Sequence, residues 1–96
     1  MIRSFRSKCA QDIFDGDNSR YARKLPSHLQ GKAYRLMDQL NVVREVQELK
    51  VPPGNRLEKL KGDLKDFWSI RINDQWRLIF VWKGMHAFEV DIVDYH

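Results

Sequence analysis

Two arginines lie close together in the segment SIRINDQWRLIF, residues 69–80, with Arg71 and Arg77 on either side of the polar stretch NDQ. The planar guanidinium offers two parallel donors to an oxyanion, and its charge does not titrate. Two such groups held side by side form a binding site for a phosphate. The pair is therefore a candidate anion site, provided that the fold brings the two side chains together.

The end of the sequence supplies groups that move protons. Asp94, Tyr95 and His96 form the segment DYH, which is an acid, a phenol and an imidazole. Beside two fixed positive charges, these groups are the ingredients of proton transfer around a phosphate. An incidental histidine on a frayed terminus is the alternative interpretation of the same residues.

Other kinds of site have little support in the sequence. His28, His86 and His96 lack the spacing of metal ligands, and neither a glycine-rich phosphate loop nor a G-x-S-x-G motif occurs. Cys9 is the only cysteine, which excludes an internal disulfide and a cysteine-based metal framework. No metal and no cofactor is expected.

Composition and charge narrow the class of protein. The chain has 96 residues, of which 43% are hydrophobic, so residues 1–96 are expected to form one domain around one core. The net charge of +4 is uneven, because eight basic and four acidic residues lie at positions 50–83 and no basic residue follows. This favours a polyanionic partner, and an ordinary solvated surface is the alternative. No apolar run reaches the length of a signal peptide or a membrane span, so a cytoplasmic location without membrane contact is expected.

Alternating apolar residues predict the strands that must hold the two arginines. Strands are predicted in DFWSIRI and WRLIFVW, and each has one apolar face. The core-facing positions are Trp68, Ile70, Ile72, Trp76, Leu78, Phe80 and Trp82. Matching these faces across a hairpin requires that the numbers of paired residues add to an even total. A three-residue loop at 73–75 meets this condition and places Arg71 directly opposite Arg77 on the non-core face.

Like charges directly opposite each other destabilise a sheet by on the order of a few tenths of a kcal/mol. The arrangement of Arg71 and Arg77 is explained if an anion belongs between them. A nearby carboxylate such as Asp91, which would neutralise the pair, is the structural alternative. The residues alone leave both interpretations open.

The last predicted strand, AFEVDIVDY, brings the end of the chain to the same face. Its core-facing positions are Phe88, Val90 and Ile92. The positions that share the face of the arginines are Glu89, Asp91, Val93 and Tyr95. A register that keeps the faces matched, with Phe80 opposite Val90, brings Tyr95 level with the turn between the arginines.

The first half of the chain is predicted to supply helices. MIRSFR alternates and predicts a short strand, and KCAQDIF predicts a short helix. The clearest predicted helix begins at Ser27, where Ser27 and Gln30 have the spacing of a capping box after Pro26. Its apolar stripe comprises Leu29, Ala33, Leu36, Met37, Leu40 and Val43. VPPGN interrupts regular structure and RLEKLKG predicts a short strand, so the order of elements predicts an α+β fold with helices on one face of a small antiparallel sheet.

Four stretches together resemble the HigB-like branch of the RelE/ParE superfamily of bacterial toxins. They are MIRSF, PPGNRLEKLKGD, WSIRINDQWRLIF and VDIVDYH, which in this order span essentially the whole chain. The resemblance implies ribosome-dependent cleavage of messenger RNA in the A site. It also implies neutralisation by a HigA-like helix-turn-helix antitoxin, in a hetero-oligomeric complex that binds operator DNA through the antitoxin.

The resemblance assigns roles to particular residues. Basic residues of the family hold the scissile phosphate, which implies such a role for Arg77 and Lys61, and the terminal segment implies activity for Asp94, Tyr95 and His96. With the arginine pair, the candidate catalytic residues are Arg71, Arg77, Asp94, Tyr95 and His96. The candidates for following the RNA backbone are Arg56, Lys59, Lys61 and Lys65.

Departures from the family pattern keep other functions open. Glu58 stands where better-known relatives have a histidine, and Asn73 stands where they have an arginine, with Arg71 two residues earlier. The leading hypothesis is an endoribonuclease in which a 2′-hydroxyl attacks the adjacent phosphate without a metal ion. The alternatives are a non-enzymatic inhibitor of DNA gyrase, which the terminal DYH segment disfavours, and a weakened toxin retained as the antitoxin's partner, which Glu58 favours.

Overall fold

A computed structural model describes residues 1–95, in which two α-helices pack on one face of a four-stranded antiparallel sheet. The helices are α1 (Lys8–Asp15) and α2 (Ser27–Val42). The strands, in their order across the sheet, are β1 (Glu58–Lys59), β2 (Phe67–Arg71), β3 (Trp76–Lys83) and β4 (His86–Asp94). Short 3-10 helices cover Ala22–Lys24, Val46–Lys50, Pro53–Asn55 and Gly62–Leu64. The predicted α+β class is confirmed, and none of the helices in residues 1–95 is long and apolar enough to cross a membrane.

Helix α1 forms where KCAQDIF predicted it, and its ends have recognisable signals. The hydroxyl of Ser7 accepts a hydrogen bond from the backbone N–H of Ala10 at 3.1 Å, which satisfies one of the free donors of the first turn. Gly16 ends the helix at a φ of 81°, a left-handed conformation that glycine adopts without a Cβ clash. The helix buries Cys9 and Ile13 against the core.

Helix α2 begins at Ser27, as predicted, but the predicted capping box is absent. Pro26 occupies the N-cap position and Ser27 is the first helical residue, so no capping box forms. The side-chain amide of Gln30 instead donates to the carbonyls of Ala22 and Leu25, both at 3.0 Å, because the preceding 3-10 turn presents these carbonyls to it. The predicted apolar stripe of this helix is buried as expected.

The predicted register of the β2–β3 hairpin is confirmed. Arg71 and Arg77 are direct cross-strand partners, and the backbone N–H of Ile72 donates to the carbonyl of Trp76 at 3.0 Å, which leaves 73–75 as the loop. The Asn73 side chain closes this loop by accepting from the N–H groups of Gln75 and Trp76, at 2.9 and 2.8 Å.

Strand β4 follows the predicted register only in its second half. Leu78 pairs with Ile92, but the register shifts between Ile79 and Val81, so that Val81 pairs with Phe88. Glu89 takes up the extra residue at a φ of 54°, which forms a β-bulge. Beyond a bulge the side chains change faces. The core assignment of Phe88 is therefore wrong: Ala87 lies in the core and Phe88 lies half-buried on the opposite face.

The outer strand predictions are only partly matched. MIRSFR forms no continuous strand, and only Ile2 and Phe5 make isolated parallel bridges, to Ala87 and Val90 of β4. In RLEKLKG only Glu58 and Lys59 pair as strand β1. These two segments flank the central hairpins, and together they bound the sheet face that carries the arginines.

Candidate functional site

The candidate site lies on the sheet face away from the helices, which is called the open face below. Arg71 and Arg77 occupy one row across β2 and β3, and both side chains are half-buried. Arg71 pairs with the carboxylate of Asp74 in the hairpin loop. The guanidinium carbon of Arg77 lies 5.2 Å from the centroid of the Tyr95 ring, a cation–π contact. One arginine is thus neutralised locally, and the other is held by an aromatic ring.

Asp91 does not neutralise the arginine pair. Its carboxylate lies in the neighbouring row, where it faces Arg6 with 4.0 Å between Nε and Oδ2 and accepts from the backbone N–H of Ile92 at 2.7 Å. Within residues 1–95, no ion pair joins Asp91 to Arg71 or Arg77. A carboxylate therefore does neutralise Arg71, but it belongs to Asp74 and not to Asp91. Among the described residues, no carboxylate forms an ion pair with Arg77.

Tyr95 reaches the turn between the arginines, as the register predicts. Its backbone N–H donates to the carbonyl of Gln75 at 2.6 Å, which ties the end of the sheet to the hairpin loop. The side chain remains 48% exposed, so its hydroxyl is accessible to a ligand. A terminus held in this way is not frayed at Tyr95.

Asp94 lies on the core-facing side of β4, and His96 is not among the described residues. Asp94 is the cross-strand partner of Trp76, whose side chain is in the core, so Asp94 alternates away from the face of Tyr95. Its Oδ2 accepts from the side-chain amide of Gln75 at 3.1 Å. His96 lies outside the described residues, so its predicted role stays a prediction.

Tyr95 also lines a cleft with strand β1. The cleft has a volume of about 300 Å³, and its lining is Glu58, Lys59, Leu60, Lys61, Leu64 and Tyr95. Lys61, which the resemblance connected with phosphate, therefore shares a cleft with Tyr95. Glu58 also lines this cleft, so a carboxylate shares it with the phenol of Tyr95.

Of the remaining predicted RNA-binding residues, only Lys59 also lines this cleft. Lys59 lies 5.8 Å over the ring of Trp68, and its ammonium donates to the carbonyl of Lys65. Arg56 and Lys65 are exposed and are not part of the cleft lining. Lys59 and Lys61 are thus the two basic residues of the cleft.

Sequence reasoning missed Arg6 as part of the open face. Its guanidinium carbon lies 5.3 Å from the centroid of the Phe67 ring, beside Asp91. The signal was present, because Phe5 bridges to the core residue Val90 and the next side chain must point to the other face. The broken strand pattern of MIRSFR hid this alternation.

Comparison with solved structures supports the fold. A toxin chain in the heterotetrameric YoeB-YefM toxin-antitoxin complex from Staphylococcus aureus superposes with a TM-score of 0.54 over 100% of this chain and 98% of that chain, at 18% identity. A YoeB/ParE toxin from Agrobacterium tumefaciens gives a TM-score of 0.50 over 99% and 96%, at 17% identity. At these identities the likeness concerns the fold alone.

Sequence comparison is more specific. Toxin HigB-1 of Vibrio cholerae is 37% identical over 82 residues, which is 85% of this chain and 84% of the relative. Endoribonuclease HigB of Proteus vulgaris is 26% identical over 100% of both chains. The family model described as RelE-like toxin of type II toxin-antitoxin system HigB matches residues 3–96. The chain therefore belongs to the HigB-like family and is a RelE-like toxin of a type II toxin-antitoxin system.

Proposed function

We propose that this toxin is a ribosome-dependent endoribonuclease that cleaves messenger RNA in the A site and so stops translation. The observation that carries the proposal is the direct cross-strand pairing of Arg71 with Arg77, with Tyr95 against the second arginine at 5.2 Å. A relative over the full length of the chain bears the name endoribonuclease. Two guanidiniums and a phenol on one open face fit a phosphodiester better than any neutral substrate.

The proposed reaction is an internal transesterification. The 2′-hydroxyl oxygen of one nucleotide attacks the adjacent phosphorus, and its proton passes to a base. The bond from phosphorus to the 5′-oxygen of the next nucleotide breaks, and that oxygen takes a proton from an acid. The products are a 2′,3′-cyclic phosphate and a 5′-hydroxyl, and no metal ion is required for the chemical step.

Arg71 and Arg77 stabilise the extra negative charge that develops on the phosphorane. Preorganised donors of this kind typically contribute about 10²-fold to 10³-fold in kcat, because they need no reorganisation as the charge forms. The repulsion between the two guanidiniums is relieved when the anion lies between them. Asp74 holds Arg71 in place in the free protein.

Proton transfer is assigned to the residues around the cleft of Tyr95. Tyr95, His96 and Glu58 are the candidates for acid and base, and Glu58 and Tyr95 line the same cleft. Asp94 is assigned a positioning role, since it holds Gln75, whose carbonyl in turn holds Tyr95. Lys61 lines the same cleft as Glu58 and is assigned to the path of the RNA backbone.

The proposal includes a cytoplasmic partner protein. A HigA-like helix-turn-helix antitoxin would bind the toxin in a hetero-oligomeric complex that recognises operator DNA through the antitoxin, and the ribosome places the toxin in the cytoplasm. A YoeB toxin of the same fold has been solved in a heterotetrameric complex with its antitoxin YefM. Co-expression with a gene beside the toxin gene should restore growth. If neither neighbouring gene restores growth, this part of the proposal is contradicted.

The proposal is tested by inducing the protein in cells and mapping the 5′ ends of messenger RNA, beside a measurement of DNA supercoiling. We expect new 5′ ends inside translated codons, unchanged supercoiling, and neither effect with Arg77→Ala. Altered supercoiling without new 5′ ends would indicate a gyrase inhibitor instead. If neither the native protein nor Arg77→Ala arrests growth, the toxin has lost its activity.

A further inference from the structure

A second feature of the open face is a groove at the end of the sheet opposite the arginine pair. It has a volume of about 680 Å³. Phe67, Val81 and Phe88 form one row across β2, β3 and β4 in this groove, and all three side chains are half-buried. Aromatic rings that serve only to stabilise a sheet are usually buried in its core. Half-exposed rings in an open groove therefore indicate an interaction site.

The β-bulge at Glu89 is what places Phe88 in the groove. Without the extra residue, the alternation of β4 would point Phe88 into the core, where Ala87 now lies fully buried. The bulge requires a left-handed φ of 54° at a residue that is not glycine, a conformation that costs of order 1–3 kcal/mol. Bulges re-aim side chains next to functional sites, and strain of this kind concentrates at such sites.

The row sets two aromatic side chains on either side of a smaller one. The backbones of β2 and β4 are about 10 Å apart, because two strand spacings separate them. Phe67 and Phe88 stand on the two sides, with the smaller Val81 as the floor between them. A heterocyclic base is about 3.4 Å thick in a stack, and every base can stack on an aromatic ring.

The charged residues that line this groove favour a neutral base over a phosphate as its ligand. The groove is lined by three basic residues, Arg6, Lys59 and Lys83, against three acidic residues, Asp63, Asp66 and Glu89. A balanced rim does not attract a polyanion, in contrast with the arginine row. A neutral base with donors and acceptors on its edge fits such a rim, where the guanidinium carbon of Arg6 already lies 5.3 Å from the centroid of the Phe67 ring.

The groove and the arginine pair are parts of one continuous surface. Phe67 and Arg71 lie four residues apart on β2, a distance of about 13 Å along the strand. This corresponds to about four nucleotides in a stacked strand and to fewer in an extended one. We propose that the slot between Phe67 and Phe88 binds one unpaired base of the same RNA whose scissile phosphate the arginine pair holds. The inference rests on the proposed function and adds a base-binding subsite to it.

The experiment uses ribosomes programmed with a messenger RNA that carries a 2′-O-methyl group at the scissile nucleotide, which blocks the attack. Single 2-aminopurine bases are placed across the A-site codon and the flanking nucleotides, because stacking on an aromatic ring quenches their fluorescence. We expect the native toxin to quench one position, about two to four nucleotides from the scissile phosphate. Phe88→Leu and Phe67→Leu should remove this quenching and weaken binding about fivefold or more, as the loss of one base stack does.

Matched variants separate stacking from folding. Phe88→Tyr and Phe67→Tyr keep the ring and should keep the quenching, while Tyr34→Leu, an exposed aromatic change on the helical layer, should change nothing. Leucine variants that fold by circular dichroism and still quench would overturn the inference. Leucine variants that keep the quenching but lose antitoxin binding would also overturn it, and would identify the groove as a protein-docking surface.

The two proposals fail in different ways. If the native toxin sediments with programmed ribosomes and cleaves the unmodified messenger RNA, but quenches no 2-aminopurine position, the base-binding subsite is refuted and the endoribonuclease proposal stands. If the native toxin neither sediments with these ribosomes nor cleaves, the proposed function is refuted and the subsite falls with it.

Discussion

The arginine pair is explained by what each guanidinium contacts. Arg71 has a local carboxylate in Asp74, whereas Arg77 has the face of the Tyr95 ring. A ring face holds a guanidinium in position without cancelling its charge. Arg77 is therefore the side chain whose positive charge remains available to a phosphate, whereas in the proposed function Arg71 has to exchange its contact with Asp74 for one with the phosphate.

Replacing Arg77 with Ala should abolish activity without unfolding the protein. The side chain is half-buried on the open face and is not part of the core, so the free energy of unfolding should change by about 0.5 kcal/mol or less. Cleavage on programmed ribosomes should fall by about 10²-fold or more, because a preorganised donor to the transition state is lost. A thermal melt and a cleavage time course measure the two effects. An Arg77→Ala protein that melts far below the native one would make this arginine structural.

Replacing Tyr95 with Phe separates the two roles of this residue. The ring over Arg77 is retained and only the hydroxyl is removed, so stability and ribosome binding should stay native. If the phenol carries a proton, the cleavage rate should fall by about 10²-fold. Deletion of Tyr95 and His96 is the harsher comparison and should also lose the cation–π contact. Native cleavage by Tyr95→Phe would leave proton transfer to Glu58 and His96.

At the scale of elements, the register of the β2–β3 hairpin was predictable. The apolar faces match only when the numbers of paired residues add to an even total, and few registers meet this condition. Two strands with one apolar face each, joined by a loop that Asn73 can close, admit a register in which Arg71 meets Arg77. The bulge was not predictable, because FEVDIVD alternates without a glycine and Glu89 gives no sign of a positive φ. The capping box was predicted wrongly because the side chain of Gln30 can bond either to the start of its own helix or to carbonyls of the preceding turn. Only the folded chain shows that the carbonyls of Ala22 and Leu25 lie within its reach.

The bulge predicts the effect of substitutions at Glu89. Glycine adopts the φ of 54° without a Cβ clash, so Glu89→Gly should unfold at the same denaturant concentration as the native protein or a higher one. A β-branched residue is poorly suited to this conformation, and Glu89→Val should lose about 1–2 kcal/mol. Urea unfolding of both variants measures the difference. Equal stability of the two would show that the bulge is not present in solution.

Asp12 joins α1 to the following turn and predicts a pH dependence. Its carboxylate accepts from the hydroxyl of Ser19 at 2.5 Å and pairs with Lys8 at 3.0 Å, and these contacts, the Ser19 hydrogen bond first, lower the pKa of Asp12. A lowered pKa in the folded state means that the stabilisation is present above the ordinary carboxyl pKa and is lost as pH falls through the folded value. Asp12→Asn should therefore lower the melting temperature at pH 7, and the gap to the native protein should narrow in acid. A gap that is constant across the acid range would contradict this.

At the scale of the whole molecule, the sheet separates folding from function. One face of β2, β3 and β4 packs against α1 and α2, while the other carries the arginine pair at one end and the Phe67–Phe88 slot at the other. Substitutions on the open face should therefore change the proposed RNA contacts with little effect on the core. The family and the positions of the arginines were readable from the sequence, whereas the meeting of Glu58, Lys61 and Tyr95 in one cleft depends on how the irregular segment around β1 folds back.

We propose above all that the paired arginines make this toxin an endoribonuclease on the ribosome. The most direct measurement incubates purified toxin with ribosomes programmed with a defined messenger RNA and maps the cut ends chemically. We expect a single cut in the A-site codon, with a 2′,3′-cyclic phosphate on one fragment and a 5′-hydroxyl on the other, and no cut with Arg77→Ala. An intact messenger RNA after incubation with folded native toxin, or cutting by Arg77→Ala at the native rate, would contradict this proposal.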